Sequence, residues 1–371
     1  MTQMFDRRVV MGGVLVLALA PALAKAQLTP AEVAALYRRF IVLDTLMPAS
    51  PADNEVMALA AGLSGGVCDL SGFPRNYARA VQALAEWAAA FNDSARHFMP
   101  ILAAADFARA KAENRFAVVL ASQNADILDS GSISNSDDNI KNLQTLYKGG
   151  LRVLLITYTD ANSLGDGYNE PSNGGLKNLG RAVIPEMNRL DMLVDVSHSG
   201  ERTSLEAIAL STRPPAVTHA GCLALDPNLR NKSDAVIRAL ADKGGYFGVY
   251  NMTLWMTRKP TSSVEDIIDH IDHAVNVGGI DLVGFGSDHG VLGEPGDQAS
   301  LLAGMEQFAA RSKDLPAGDP AVFSHTYAKD INTPDRLLII AQALARRGYR
   351  SADIEKILGG NFVRCFRGAC G

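Results

Sequence analysis

The stretch Leu193–His219, LVDVSHSGERTSLEAIALSTRPPAVTH, decides the fold. It opens on a nearly continuous apolar run at Leu193–Ser197. It then passes through a helical pattern at Arg202–Ser211 and returns to a β-rich run at Ala216–Thr218. Such runs suit parallel strands buried on both faces. Each run is followed at once by a histidine, His198 and His219. The unit is strand, helix, strand, with an imidazole just past each strand.

The same rhythm extends in both directions. Further candidate strands are Ile41–Asp44, Gly66–Leu70, Ala117–Ser122, Arg152–Thr157, Tyr246–Tyr250 and Leu282–Gly286. Helical patterns occupy Tyr77–Phe91, Ile140–Lys148, Gly180–Leu190, Ser233–Asp242 and Val264–Val277. Eight β/α alternations predict an α/β chain folded as a (β/α)8 TIM-type barrel. The competing doubly wound sheet lacks support, because no glycine fingerprint for dinucleotide or phosphate follows the first strand. Residues 287–334, rich in Gly, Pro, Asp and Ser, read as a long insertion after the last strand.

Composition narrows the class. The chain has 371 residues, 47% hydrophobic and 20% charged, which excludes a disordered protein. Four cysteines in that length do not make a disulfide scaffold. A net charge of −5 gives no electrostatic footprint for nucleic acid. Arg7 and Arg8 precede an apolar run, Val9–Leu23, and Ala24-Lys25-Ala26 follows as a small-x-small cleavage signal. Residues 1–26 are therefore expected to be a secretory signal of twin-arginine type, with one catalytic barrel at 27–371 and a periplasmic location. No second anchor is evident, so no stable membrane attachment is expected after cleavage. Cys365 and Cys370 would be able to pair in an oxidising compartment.

In a barrel of this type the site lies at the C-terminal ends of the strands. The residues at or just past the ends of the candidate strands are Asp44, Asp69, Gln123, Tyr158, His198, His219, Asn251 and Asp288. The chain has only seven histidines, and two fall on consecutive strand ends. Two neutral imidazoles and a carboxylate can hold a catalytic metal with an open position. Asp195 is expected to orient a neighbour of that centre. His270 and His273, on a helix of the outer ring, read as structural.

Several segments resemble the membrane (renal-type) dipeptidases, the M19 metallopeptidases. They are Glu186-Met-Asn-Arg-Leu190, Val194-Asp-Val-Ser-His198, Thr218-His219, Leu229-Arg-Asn-Lys-Ser-Asp234, Gly284-Phe-Gly-Ser-Asp288 and Ile357-Leu-Gly-Gly-Asn-Phe362. The resemblance implies a (β/α)8 barrel with a two-zinc centre that hydrolyses dipeptides. By that resemblance His198 and His219 hold the second zinc, Asp288 acts on the water and the leaving amine, and Arg230 binds the substrate carboxylate. The family's first strand ends in a His-x-Asp pair for the first zinc. Here the region reads Val42-Leu-Asp-Thr-Leu-Met-Pro48, with Asp44 its only acid. The bridging glutamate corresponds to Gln123 and the fourth-strand histidine to Tyr158.

Removing one Asp and one Glu takes away two negative charges that a pair of dications needs. One zinc ion, or none, is expected in place of two, with Gln123 and Asp44 as candidate additional ligands and Tyr158 as a catalytic donor. The small-molecule partner is then a dipeptide-like substrate. Two other readings stay open: a non-peptidase lyase, isomerase or tailoring enzyme, and a metal-poor binding protein on the same barrel. Relatives pair through barrel surfaces, which leaves a homodimer open.

Overall fold

The computed structural model describes residues 27–70, 75–129, 136–257, 259, 262–292 and 327–371. The expected signal at 1–26 and residues 293–326 of the expected insertion lie outside the described residues. Among the described residues, nine strands form one sheet: β1 Leu43–Pro48, β2 Gly65–Asp69, β3 Phe98–Pro100, β4 Phe116–Ser122, β5 Val153–Leu155, β6 Leu193–Asp195, β7 Ala216–Ala220, β8 Tyr246–Val249 and β9 Val283–Phe285. The ladder runs β1-β2-β4-β5-β6-β7-β8-β9, and every pairing is parallel. Those eight strands are the ones the sequence predicts, with helices between them, and they wrap into a nearly closed (β/α)8 barrel. The short β3 pairs with the start of β4 and lies off this path.

Closure between β9 and β1 is made by single bonds. Thr45 Oγ1 lies 2.8 Å from the Thr218 carbonyl and 3.0 Å from that of Phe285, reaching across the barrel. The Asp288 N–H bonds the Leu46 carbonyl at 3.0 Å. Gly286 leaves room for this seam, since a Cβ there would stand 2.7 Å from Thr45 Oγ1. β1 begins and ends later than the sequence suggests, so Asp44 sits inside the strand and not at its end.

The barrel interior holds Leu43, Val67, Val119, Val153, Leu193 and Tyr246 in one cluster with Phe362 and Phe366. The last two come from the helix Asn361–Cys370. Asn361 Nδ2 bonds the Val283 carbonyl at 2.8 Å, and Arg364 Nη2 bonds that of Gly245 at 2.7 Å. Both carbonyls stand where strands begin, so this helix closes the end opposite the histidines. Cys365 and Cys370 are free, buried thiols, not a disulfide. Their sulfurs turn toward different carbonyls, those of Pro215 and Arg152. No helix among the described residues is long and apolar enough to cross a membrane.

Candidate metal centre

His198 lies past β6 in a tight turn. The Tyr168 N–H bonds its carbonyl at 2.9 Å, and the Gly200 N–H bonds the Asp166 carbonyl at 3.0 Å. Gly167 lets the loop after β5 fold closely on itself beside this turn, because a Cβ there would meet the Tyr158 carbonyl at 2.3 Å. His219 is part of β7 itself. Asp288 follows β9 at φ 60, a left-handed conformation that non-glycine residues hold only when surroundings impose it.

The structure brings these three together. Ligand atoms of His198, His219 and Asp288 all lie within 4.8 Å of one another. The two Nε2 atoms are 2.9 Å apart. Burial, reinforced by the Arg230 charge, holds both imidazoles well below the usual histidine range, so both are neutral and able to ligate. Burial pushes the Asp288 carboxyl up to about 6, against the opposing charge of Arg230.

Proton counting fixes one tautomer. The Thr218 hydroxyl donates to Asp195 Oδ2. Having a single hydrogen, it must accept from His219 Nδ1, 2.9 Å away. The Nε2 lone pair of His219 is thereby directed at the cluster. Asp195 also takes the Ser197 N–H at 2.9 Å and the Ser197 hydroxyl at 2.5 Å, which is the orienting role expected of it. The Nδ1 of His198 is buried with no hydrogen-bond partner.

The remaining candidates fall into two groups. Tyr158 stacks on His198 at 4.2 Å between centroids, and the Arg75 guanidinium lies 3.8 Å over the Tyr158 ring. Burial raises the Tyr158 phenol, which keeps its proton. Gln123 gives its backbone N–H and its side-chain N–H to Asp69, each at 3.1 Å, and leaves a buried Oε1 without a partner. Arg230 is fully enclosed and donates to the carbonyls of Ser197 at 2.8 Å and His219 at 3.1 Å, while its Nε has no partner. Asp44 is not in the cluster: Arg336 binds it at 2.9 Å. His270 holds the Cys222 N–H and faces the Met256 carbonyl, and His273 pairs with Asp234, so both serve the outer ring. Neither Arg75 nor Arg336 follows a strand run, so strand-end reasoning misses both.

The donor set suits one cation. Two neutral imidazoles and a carboxylate converge, and one imidazole is oriented from behind. Asp44 is held by Arg336 and Gln123 brings no charge, so neither adds a free anion to this set.

A parallel barrel carrying His, His and Asp at its strand ends has the build of a metal-dependent amidohydrolase. The chain belongs to the membrane dipeptidase family, peptidase family M19, whose sequence model matches residues 58–305. Dipeptidase verJ of Clonostachys rogersoniana is 33% identical over 162 residues, 42% of this chain and 40% of that protein. Dipeptidase tcpJ of Claviceps purpurea is 28% identical over 229 residues, 61% of this chain and 46% of that protein. The chain thus matches less than half the length of either. An amidohydrolase from Pseudomonas aeruginosa of known structure is 26% identical with a TM-score of 0.78, over 93% of this chain and all of that one.

Proposed function

We propose that this chain is an exported hydrolase of dipeptide-like amides that works with a single metal ion, zinc by the chemistry of its donors. The observation that carries the reading is the convergence of His198, His219 and Asp288 on one point in a barrel of the dipeptidase family. Bound there, the ion supplies Lewis acidity: it lowers the pKa of water and polarises the scissile carbonyl.

The chain's own groups do the rest. Asp288 takes the proton of the attacking water and returns it to the leaving amine. The Tyr158 phenol, protonated and stacked on His198, donates a hydrogen bond to charge developing on the carbonyl oxygen. Arg230 offers its unpartnered Nε–H to a substrate carboxylate. Gln123 Oε1 is a neutral oxygen that can serve as a weak extra ligand. Residues 1–26 would carry the protein to the periplasm through the twin-arginine route, and the mature partner is a small molecule. A homodimer belongs to the same reading.

Metal analysis of natively purified protein, joined to a screen of dipeptides, tests this. One zinc per chain, lost in His198→Ala together with turnover, is the expected result. Turnover of a non-peptide substrate by metal-free protein would replace it with a lyase or isomerase. Tight carboxylate binding without metal or turnover would replace it with a binding protein.

A further inference from the structure

One buried ion pair beside the site takes no part in that chemistry. Asp44 in β1 is fully enclosed, and Arg336, at the start of the helix Arg336–Arg347, exposes 1% of its surface. Arg336 directs Nε and Nη2 at the same oxygen, Asp44 Oδ2, at 3.0 and 2.9 Å. The other oxygen, Oδ1, accepts the Ser287 N–H at 2.7 Å. Arg336 Nη1 reaches the Val291 carbonyl at 2.9 Å. The next residue after Ser287 is Asp288, held by the Leu46 carbonyl in its left-handed conformation.

A continuous chain of bonds therefore runs from a guanidinium, through a carboxylate, to the backbone that presents Asp288. A carboxylate in so dry a place needs a full positive charge nearby. The protein supplies that charge itself, from a helix 292 residues away in sequence. We propose that Arg336, acting through Asp44, is a positioning residue for Asp288, and that its guanidinium is the fixed cation of the first-strand half of the site. Asp44 is then a structural anion and not a metal ligand. The left-handed turn at Asp288 persists because two consecutive N–H groups are tied: that of Ser287 to Asp44, and that of Asp288 to the Leu46 carbonyl of β1.

The spectroscopic part of the test rests on the one-metal reading above, and the crystallographic part does not. Full-length metal-free protein is titrated with cobalt(II), following stoichiometry, affinity and the visible d–d band. Asp44→Asn keeps an oxygen for the Ser287 N–H, and Arg336→Lys keeps the charge. Arg336→Lys is expected to bind one cobalt with the affinity and band of the wild type, and Asp44→Asn, which strands the guanidinium, to bind one cobalt no more weakly than Arg336→Met does. Arg336→Met is expected to bind about tenfold or more weakly, with a shifted band. Loss of cobalt in Asp44→Asn would make Asp44 a ligand and overturn the proposal. So would an unchanged affinity and band in Arg336→Met. Wild-type protein that takes up no cobalt sinks the metal reading alone. The crystal structure of the charge-free double variant, Asp44→Asn with Arg336→Met, then decides the positioning role. Asp288 displaced from its left-handed turn supports it, and Asp288 unmoved overturns it.

Discussion

The rim of this barrel has two unlike halves. Past β6 and β7, two neutral imidazoles face each other with the lone pair of His219 directed between them, and no cation of the protein bonds to either ring among the described residues. Along the β9–β1 seam, a carboxylate at the same depth has both oxygens bonded, and one of them is bonded twice by an arginine. One half is built to receive a positive charge, and the other contains its own. The family match covers residues 58–305, so β1 with Asp44 and the helix that carries Arg336 lie outside it, while β9 and Asp288 lie within it. A buried carboxylate is thus balanced by the protein's own cation.

The largest effect should come from breaking the complete half. Arg336→Met leaves Asp44 buried and unpaired, and removal of one partner from such a pair costs about 3–5 kcal/mol. Asp44→Asn with Arg336→Met removes both charges and should recover much of that loss. Urea unfolding of metal-free protein measures both. A double variant no more stable than the single one would show that the charge pair is not what holds the seam.

Asp288 joins the halves, and its effect depends on pH. Its carboxyl is raised in the folded, metal-free protein to about 6, above its unfolded value of roughly 3.9. The folded state therefore holds the proton more tightly. Its contribution to stability is complete below about pH 4 and is lost as pH rises through about 6. A rise of that size corresponds to at most about 3 kcal/mol, and less for a group that water partly reaches. Metal-free wild type should gain stability over Asp288→Asn as pH falls from about 7 to about 4. Parallel curves for the two proteins would place the raised carboxyl elsewhere.

A smaller effect is expected behind the imidazoles. Thr218→Val removes the hydroxyl that sets the His219 tautomer, at almost constant volume, and should weaken zinc affinity about 10–100-fold. Isothermal titration with a competing chelator reads it. Unchanged affinity would mean that the ring keeps its orientation without Thr218 and Asp195.

Much of this is legible in the sequence, and the rest is hidden for physical reasons. The eight barrel strands are short, nearly unbroken apolar runs between glycine- and proline-marked turns, so pattern alone finds them. β3 escapes because three residues ending in Pro100 carry no period. His198, His219 and Asp288 are visible because each follows such a run. Arg336 is not, because its partner lies on the first strand and ion pairing leaves no local pattern. A signal does exist: Arg336, Ile340 and Leu344 are spaced by four on one buried helix face, where an arginine calls for an acid. Asp44 reads as a strand-end ligand because an unpaired charge would stop the strand. Neutralised by Arg336, it is carried within it.

The smallest effect sharpens the comparison from outside the barrel. Arg347, on the same helix as Arg336, bonds Glu265 at 2.9 Å, Asp269 at 2.8 Å and Asp272 at 2.5 Å. It has three carboxylates where Arg336 has one, yet its side chain is 32% exposed. Water already solvates those charges, so the Coulombic gain is small and salt screens it. Arg347→Met should cost no more than about 1 kcal/mol, and that cost should shrink between roughly 0.05 and 1 M salt, as the Debye length falls. The loss in Arg336→Met should be nearly independent of salt, because no ion reaches that pair. Equal salt dependence in the two variants would mean that the seam is open to solvent, and depth would then cease to distinguish the two arginines.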